Sequence, residues 1–125
     1  MGRKNFESIP EKYRPLRNRT NIIVTRNTDY KAENCFVTHS IKAAIEIAEN
    51  NNEKECFIIG GGEIYRQSLE ENLVDRMYIT HIKSSFEGDT FFPKVDWSKW
   101  NKRNIFSHIS DSENPHSFDV VCYEK

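Results

Sequence analysis

The alternation of apolar and polar positions divides the chain into short elements. Phe6 and Ile9, three residues apart, give residues 3–9 one small apolar face, as in a short helix. Residues 10–21 are a proline-bearing, cation-rich connection holding Arg14, Arg17 and Arg19. Residues 21–25, Asn-Ile-Ile-Val-Thr, are β-branched and nearly continuous, the pattern of a buried strand. Residues 35–38 predict a second strand leading to Ser40, whose side chain suits a helix N-cap. Ile41, Ala44, Ile45 and Ala48 then recur at the i, i+3, i+4, i+7 spacing of one helix face, and three asparagines close it. Residues 55–59 predict a strand that stops at Gly60, Gly61 and Gly62, and a helical pattern resumes from Glu63 to about Leu69. Strand and helix alternate to this point, which predicts a mostly parallel α/β sheet. The pattern changes after Asp75. Residues 76–83 predict a long strand with apolar residues on both faces, and residues 86–93 a glycine turn with an aromatic tail. Residues 102–109 and 118–123 predict a terminal hairpin joined by the polar loop 110–117.

Chemistry first enters at the glycines. A strand, a glycine turn and a helix can bring backbone N–H groups against a phosphate, because glycine lacks Cβ and accepts positive φ. The third glycine of a dinucleotide fingerprint would fall at Tyr65, and no Lys-Ser or Lys-Thr follows as in a P-loop, so a tight structural turn competes with the phosphate reading. Gly2-Arg3-Lys4 before a helix and Thr25-Arg26-Asn27 at a strand's carboxyl end are also able to hold anions. An ordinary exposed helix and a solvated strand end are the bland readings of those two. In a parallel sheet all three turns can lie along one edge, at strand carboxyl ends. Three separated anion sites fit a long phosphorylated ligand, such as a dinucleotide with an extra phosphate, better than a single phosphate.

Composition narrows the classes. The 125 residues make one domain's worth of chain, and although only 37% are hydrophobic against 30% charged, eight Phe, five Tyr and two Trp supply core material. A net charge of −1 gives no reason to expect nucleic acid or an anionic membrane as partner. No apolar run is long enough to span a bilayer. Cys35, Cys56 and Cys122 are odd in number, form no CxxC pair and sit in apolar stretches, where a free thiol behaves as a small hydrophobe; a reducing cytoplasm follows. The four histidines show no metal-ligand spacing, and there is no GxSxG elbow for nucleophilic hydrolysis.

Five motifs, in order, resemble the dihydrofolate reductase family. They are Met1-Gly2-Arg3-Lys4-x-Phe6-Glu7-Ser8-Ile9; Pro15-Leu16-x-x-Arg19-x-Asn21-Ile22-Ile23; Ile59-Gly60-Gly61-Gly62-x-Ile64-Tyr65; Tyr78-Ile79-Thr80-His81-Ile82; and Glu87-Gly88-Asp89-Thr90-Phe91-Phe92-Pro93. The family reduces 7,8-dihydrofolate to tetrahydrofolate with NADPH, on a mixed α/β sheet flanked by helices. The resemblance implies that Gly2, Arg3 and Lys4 lie on the cofactor's phosphate side. Asn5 stands at a position usually Thr, where its amide would still donate. Thr25 and Arg26 would receive the 2′-phosphate. Gly60, Gly61 and Gly62 would admit the pyrophosphate to the backbone, with Glu63 and Ile64 opening the helix whose dipole points there. Tyr65 would stand near the nicotinamide. Ile9, Leu16 and Ile59 would line the folate pocket, Arg19 would bind the substrate's glutamate α-carboxylate, and Thr80 would support the acid that orients the pterin.

In the family a substantial segment precedes the Met-Gly-Arg motif, carrying the first strand, the loop over the nicotinamide and the pterin-binding acid. The resemblance therefore implies a single incomplete domain over residues 1–125, with the first strands missing and the strand at 55–59 without its usual neighbours. It implies a monomer if complete, no catalytic acid among these residues, and no turnover by them in isolation. A non-catalytic NADPH- or phosphate-binding remnant, a gene fragment that does not fold alone, and a riboflavin-pathway pyrimidine reductase are the other readings. The last would not need Arg19 as a clamp.

Overall fold

The computed structural model describes residues 1–125, which divide into two compact units, Met1–Leu73 and Val74–Lys125. In the first unit, β1 (Ile22–Val24) pairs in parallel with β2 (Phe36–Thr38), Ile22 opposite Phe36 and Val24 opposite Thr38. Single backbone bonds extend the ladder at both ends: Phe36 N–H donates to Asn21 O and Thr25 N–H to Thr38 O, both at 2.9 Å. The β-branched run at 21–25 is thus fully engaged although the strand proper is shorter. Ile23 is completely buried, which is worth about 1.5–3 kcal/mol relative to exposure.

Helix α2 (Ile41–Asn50) packs on both strands and buries Ile41, Ala44 and Ala48 of the stripe read from the sequence, with Ile45 half-buried. Ser40 Oγ caps it, accepting the Ala43 N–H at 3.0 Å and satisfying one of the orphan donors of the first turn. Helix α1 (Arg3–Ser8) is short and buries Phe6. Helix α3 (Gly62–Glu70) follows the glycines and buries Ser68, whose hydroxyl donates to Ile64 O at 2.6 Å. Asn52 and Asn72, at φ of 58° and 59°, turn the chain out of α2 and α3, a left-handed conformation asparagine tolerates.

The strand expected at residues 55–59 does not form, and the expected mostly parallel sheet is here the single pair β1–β2. Ladder pairing needs a neighbouring strand of comparable length. The chain beside this run offers Gly2 alone, which bridges Val24 and bonds Gly60, and at Arg3 that chain has already turned into α1. Phe57 accordingly stands 61% exposed and Ile59 40%. Cys56 is exposed too, against the expectation of a hydrophobe-like thiol; Cys35 is half-buried and Cys122 buried as expected.

The second unit is an antiparallel sheet, β3-β5-β4, of β3 (Arg76–Ile82), β5 (Phe118–Glu124) and β4 (Asn101–His108). Val120 on β5 faces Thr80 on one side and Phe106 on the other, and a bulge lies between Asn104 and Phe106. Met77, Val121, Cys122 and Tyr123 are its buried residues. Trp97 packs on the Tyr123 ring at 4.7 Å between centroids, and the Tyr123 hydroxyl meets His81 Nε2 at 2.8 Å. The expected hairpin is present. No helix of the chain is long and apolar enough to cross a membrane.

Candidate functional site

Gly2 joins the three turns that sequence reading singled out. Its N–H donates to Gly60 O at 2.8 Å, its carbonyl accepts Phe6 N–H at 3.0 Å to start α1, and it forms a parallel bridge with Val24 at the end of β1. A Cβ at Gly2 would stand 3.2 Å from Ile64 Cγ1 on α3, a tight contact that the Ile64 side chain would have to relieve by a few tenths of an ångström. The glycine turn and the amino end of α3 are thereby held beside the start of α1 and the carboxyl end of β1.

Within the glycine turn, the Gly60–Gly61 peptide is cis and Gly60 sits at φ +111°, a region side chains rarely adopt. A Cβ there would also meet the Tyr65 ring at 3.4 Å. A Cβ at Gly61, the N-cap of α3, would find nothing within 4 Å, so the backbone is open to a ligand on that side. Tyr65 is half-buried, and burial pushes its hydroxyl pKa up.

At the end of β1, Thr25 is buried and Arg26 exposed. Thr25 Oγ1 accepts the Asn27 N–H at 3.2 Å, which leaves its own O–H free to donate. Its carbonyl meets His39 Nδ1 at 2.8 Å. Since a carbonyl only accepts, Nδ1 carries the proton, and Nε2 is left to a ligand. His39 was not singled out from the sequence. The parallel register carries the signal: with Val24 opposite Thr38, the next residues of the two strands, Thr25 and His39, fall side by side.

The other residues that the resemblance assigns to the cofactor side are placed less simply. Arg3 Nη1 pairs with Glu7 Oε2 at 3.0 Å, so part of its guanidinium is turned to its own helix. Lys4 is exposed on α1. Asn5 Nδ2 donates to Ile59 O at 3.0 Å, holding the approach to the glycine turn. Glu63 brings a negative charge to the first turn of α3. Hydrogen bonds from Arg66 and then Gln67, and the charges of Arg66 and Arg26, hold its pKa down to about 2, so it is ionised at any neutral pH.

Of the residues the resemblance assigns to the folate pocket, Leu16, Arg19 and Ile59 line one cavity of about 440 Å³, shared with Ile64 and with apolar residues of β1 and α2. Asn21, buried, fixes the connection that presents Leu16 and Arg19. Its Oδ1 accepts Leu16 N–H at 2.9 Å, and its Nδ2 donates to Leu16 O at 2.8 Å and Arg19 O at 3.0 Å. Arg19 is exposed, and its Nε donates to Arg17 O at 2.8 Å. Ile9, half-buried, closes α1 and does not line this cavity. Thr80 belongs to the second unit, exposed on β3 opposite Val120.

The sequence model of the dihydrofolate reductase family matches residues 1–125. The dihydrofolate reductase of Staphylococcus haemolyticus is 42% identical over 125 residues, covering 100% of this chain and 71% of that protein. That of Bacillus subtilis is 40% identical over 125 residues, covering 100% and 70%. Among solved structures, the dihydrofolate reductase from Enterococcus faecalis complexed with NADP(H) and RAB-propyl matches with a TM-score of 0.81 at 36% identity, over 98% of this chain and 70% of that one. The Schistosoma mansoni enzyme matches with a TM-score of 0.78 at 34% identity, over 99% and 72%. Matched along its length in sequence and in fold, the chain belongs to the dihydrofolate reductase family.

Proposed function

We propose that this chain acts in the NADPH-dependent reduction of 7,8-dihydrofolate to tetrahydrofolate, with residues 1–125 contributing the cofactor-phosphate face and the clamp for the substrate's glutamate. The observation that carries the reading is the junction at Gly2, which brings the glycine turn and the end of β1 together in a chain of this family. The residues fit the cofactor's phosphates. The open side of Gly61 and the amino end of α3 suit the pyrophosphate, since orphan N–H groups and the helix dipole favour an anion there. The Thr25 hydroxyl and Arg26 suit a 2′-phosphate, which takes charge-assisted hydrogen bonds, and His39 adds an Nε2–H donor there when its ring is an imidazolium. When bound, NADPH supplies the hydride.

On the substrate side, the apolar cavity at Leu16 and Ile59 takes the flat part of the folate, and Arg19 at its margin grips the glutamate α-carboxylate through its bidentate fork. Ile9 meets the folate outside that cavity, Tyr65 stands at the nicotinamide end, and Thr80 supports the acid that orients the pterin. That acid must also favour proton delivery to N5, and the resemblance assigns it to none of residues 1–125. A polypeptide confined to these residues is therefore expected to bind NADPH without oxidising it when dihydrofolate is added. A monomer in the cytoplasm completes the reading.

Fluorescence titration with NADPH and NADH tests the cofactor assignment. NADPH is expected to bind more tightly, and Arg26→Gln to remove most of that preference. Equal affinities in the unmodified chain would overturn it. Steady NADPH oxidation with dihydrofolate by residues 1–125 alone would show that the pterin acid is dispensable or replaced.

A further inference from the structure

Helix α3 opens with a carboxylate where an anion is to be bound. Glu63 follows Gly62 in the first turn, and its two oxygens take donors from Arg66, whose Nε lies 3.0 Å from Oε2 and whose Nη2 meets Oε1. Gln67 Nε2 adds a bond to Oε1 at 2.9 Å, and Arg66 Nη1 reaches Glu70 Oε2 at 2.6 Å. Both side chains are about half exposed, 55% for Glu63 and 44% for Arg66, so the cluster is not a core element. Glu63 also lies within Coulomb reach of Arg26, the cation at the end of β1.

A first-turn carboxylate favours the helix through the macrodipole. It also occupies the positive pole that a pyrophosphate would use, and it draws on the charge of Arg26. We infer that Glu63 is a built-in competitor of the cofactor's phosphates, that Arg66 holds it in check, and that the pair sets how tightly the dinucleotide is held. The inference rests on the cofactor reading given above. It makes Glu63 an affinity-setting residue whose negative charge opposes binding, while its backbone remains part of the helix end that favours it. Arg66 acts through Glu63 and is a positioning residue.

The test is NADPH titration by fluorescence on the full chain, alongside thermal unfolding, for Glu63→Gln, Arg66→Gln and the double variant. Glutamine at 63 keeps an acceptor for Arg66 while removing the charge. It is expected to tighten NADPH about five-fold at low salt, from the removal of one like charge near the phosphates across largely aqueous surroundings. The gain should shrink as salt is raised toward and beyond physiological strength. The same variant is expected to lower the melting temperature, because the helix end loses its favourable charge. Tighter binding with lower stability is a combination that a purely structural role does not produce. Arg66→Gln should weaken NADPH by a similar factor, and Arg66→Lys should restore most of the affinity. The double variant should bind like Glu63→Gln, since no carboxylate is left to neutralise. Unchanged or weaker binding in Glu63→Gln overturns the inference. So does an Arg66→Gln loss that persists in the double variant, for Arg66 would then meet the cofactor itself. Absence of NADPH binding by the unmodified chain removes the cofactor reading itself, and is distinguishable because it shows before any substitution is made.

Discussion

Asn21 offers the most direct check on how Leu16 and Arg19, the residues proposed to meet the substrate, are positioned. Its buried amide makes three hydrogen bonds, accepting from Leu16 N–H at 2.9 Å and donating to Leu16 O at 2.8 Å and Arg19 O at 3.0 Å. Asn21→Ala removes all three and leaves one donor and two acceptors to find water. At about 0.5–1.5 kcal/mol per bond, the expected loss is about 2–4 kcal/mol. Against a domain stability of about 5–15 kcal/mol this is large, and it is read as a drop in the urea midpoint with the slope unchanged. Asn21→Asp is the sharper perturbation. It is nearly isosteric and keeps the acceptor for Leu16 N–H, but it points a second oxygen at two carbonyl oxygens. It should therefore cost at least as much as alanine at neutral pH. The new carboxyl ionises with difficulty in that setting, so its folded pKa is raised above the unfolded value of about 3.9. The protonated form can donate, so its stabilising contribution is present below the unfolded pKa and is lost as pH rises through the folded one. The deficit relative to the unmodified chain should thus shrink on acidification to about pH 4. If Asn21→Asp is milder than Asn21→Ala at neutral pH, with no relief in acid, the amide is not acting as a donor to those carbonyls.

Further substitutions address the other parts of the site. Arg19→Leu should weaken folate binding by ten-fold or more, on the order of the ~1.5–3 kcal/mol of a hydrogen bond to a charged group, and leave NADPH binding nearly intact in parallel titrations. Gly60→Ala, at φ +111° and against the Tyr65 ring, should cost about 1–3 kcal/mol in chemical unfolding and weaken NADPH as the turn shifts. His39→Gln should lower affinity for NADPH more than for NADH, since the Nε2–H of the charged ring is assigned to the 2′-phosphate; equal losses would remove it from that role. Ser40→Ala should lower stability by about 1 kcal/mol through the lost cap, with cofactor affinity changed little.

Local pattern was enough to read β1, β2 and α2, because their signals are self-contained. The β-branched run at 21–25, the Ser40 cap and the apolar stripe of α2 each specify structure without reference to distant residues. Residues 55–59 carry an equally good strand pattern, yet a strand exists only where a neighbour supplies the ladder, and Gly2 supplies a single residue. The three candidate turns stand out by residue type, and their assembly follows from one contact that no local pattern announces, Gly2 N–H to Gly60 O. Side-chain commitments were the least legible. Nothing in the sequence shows that Arg3 turns to Glu7, that Asn5 bonds Ile59 O, or that Asn21 fastens Leu16 and Arg19. His39 could have been found by continuing the β1–β2 register one residue beyond its end.

Gly2 carries a consequence for how this protein can change over time. The junction of α1, β1 and the glycine turn is made by main-chain atoms, through the Gly2 N–H, the Gly2 carbonyl and the bridge to Val24. Main-chain bonds are indifferent to what side chains their neighbours carry. Arg3, Lys4, Arg26 and His39 can therefore be exchanged one at a time, retuning dinucleotide preference while the architecture persists. In a saturation library selected for cofactor binding, those four positions should accept graded variety, whereas position 2 should favour glycine and, after it, the smallest side chains.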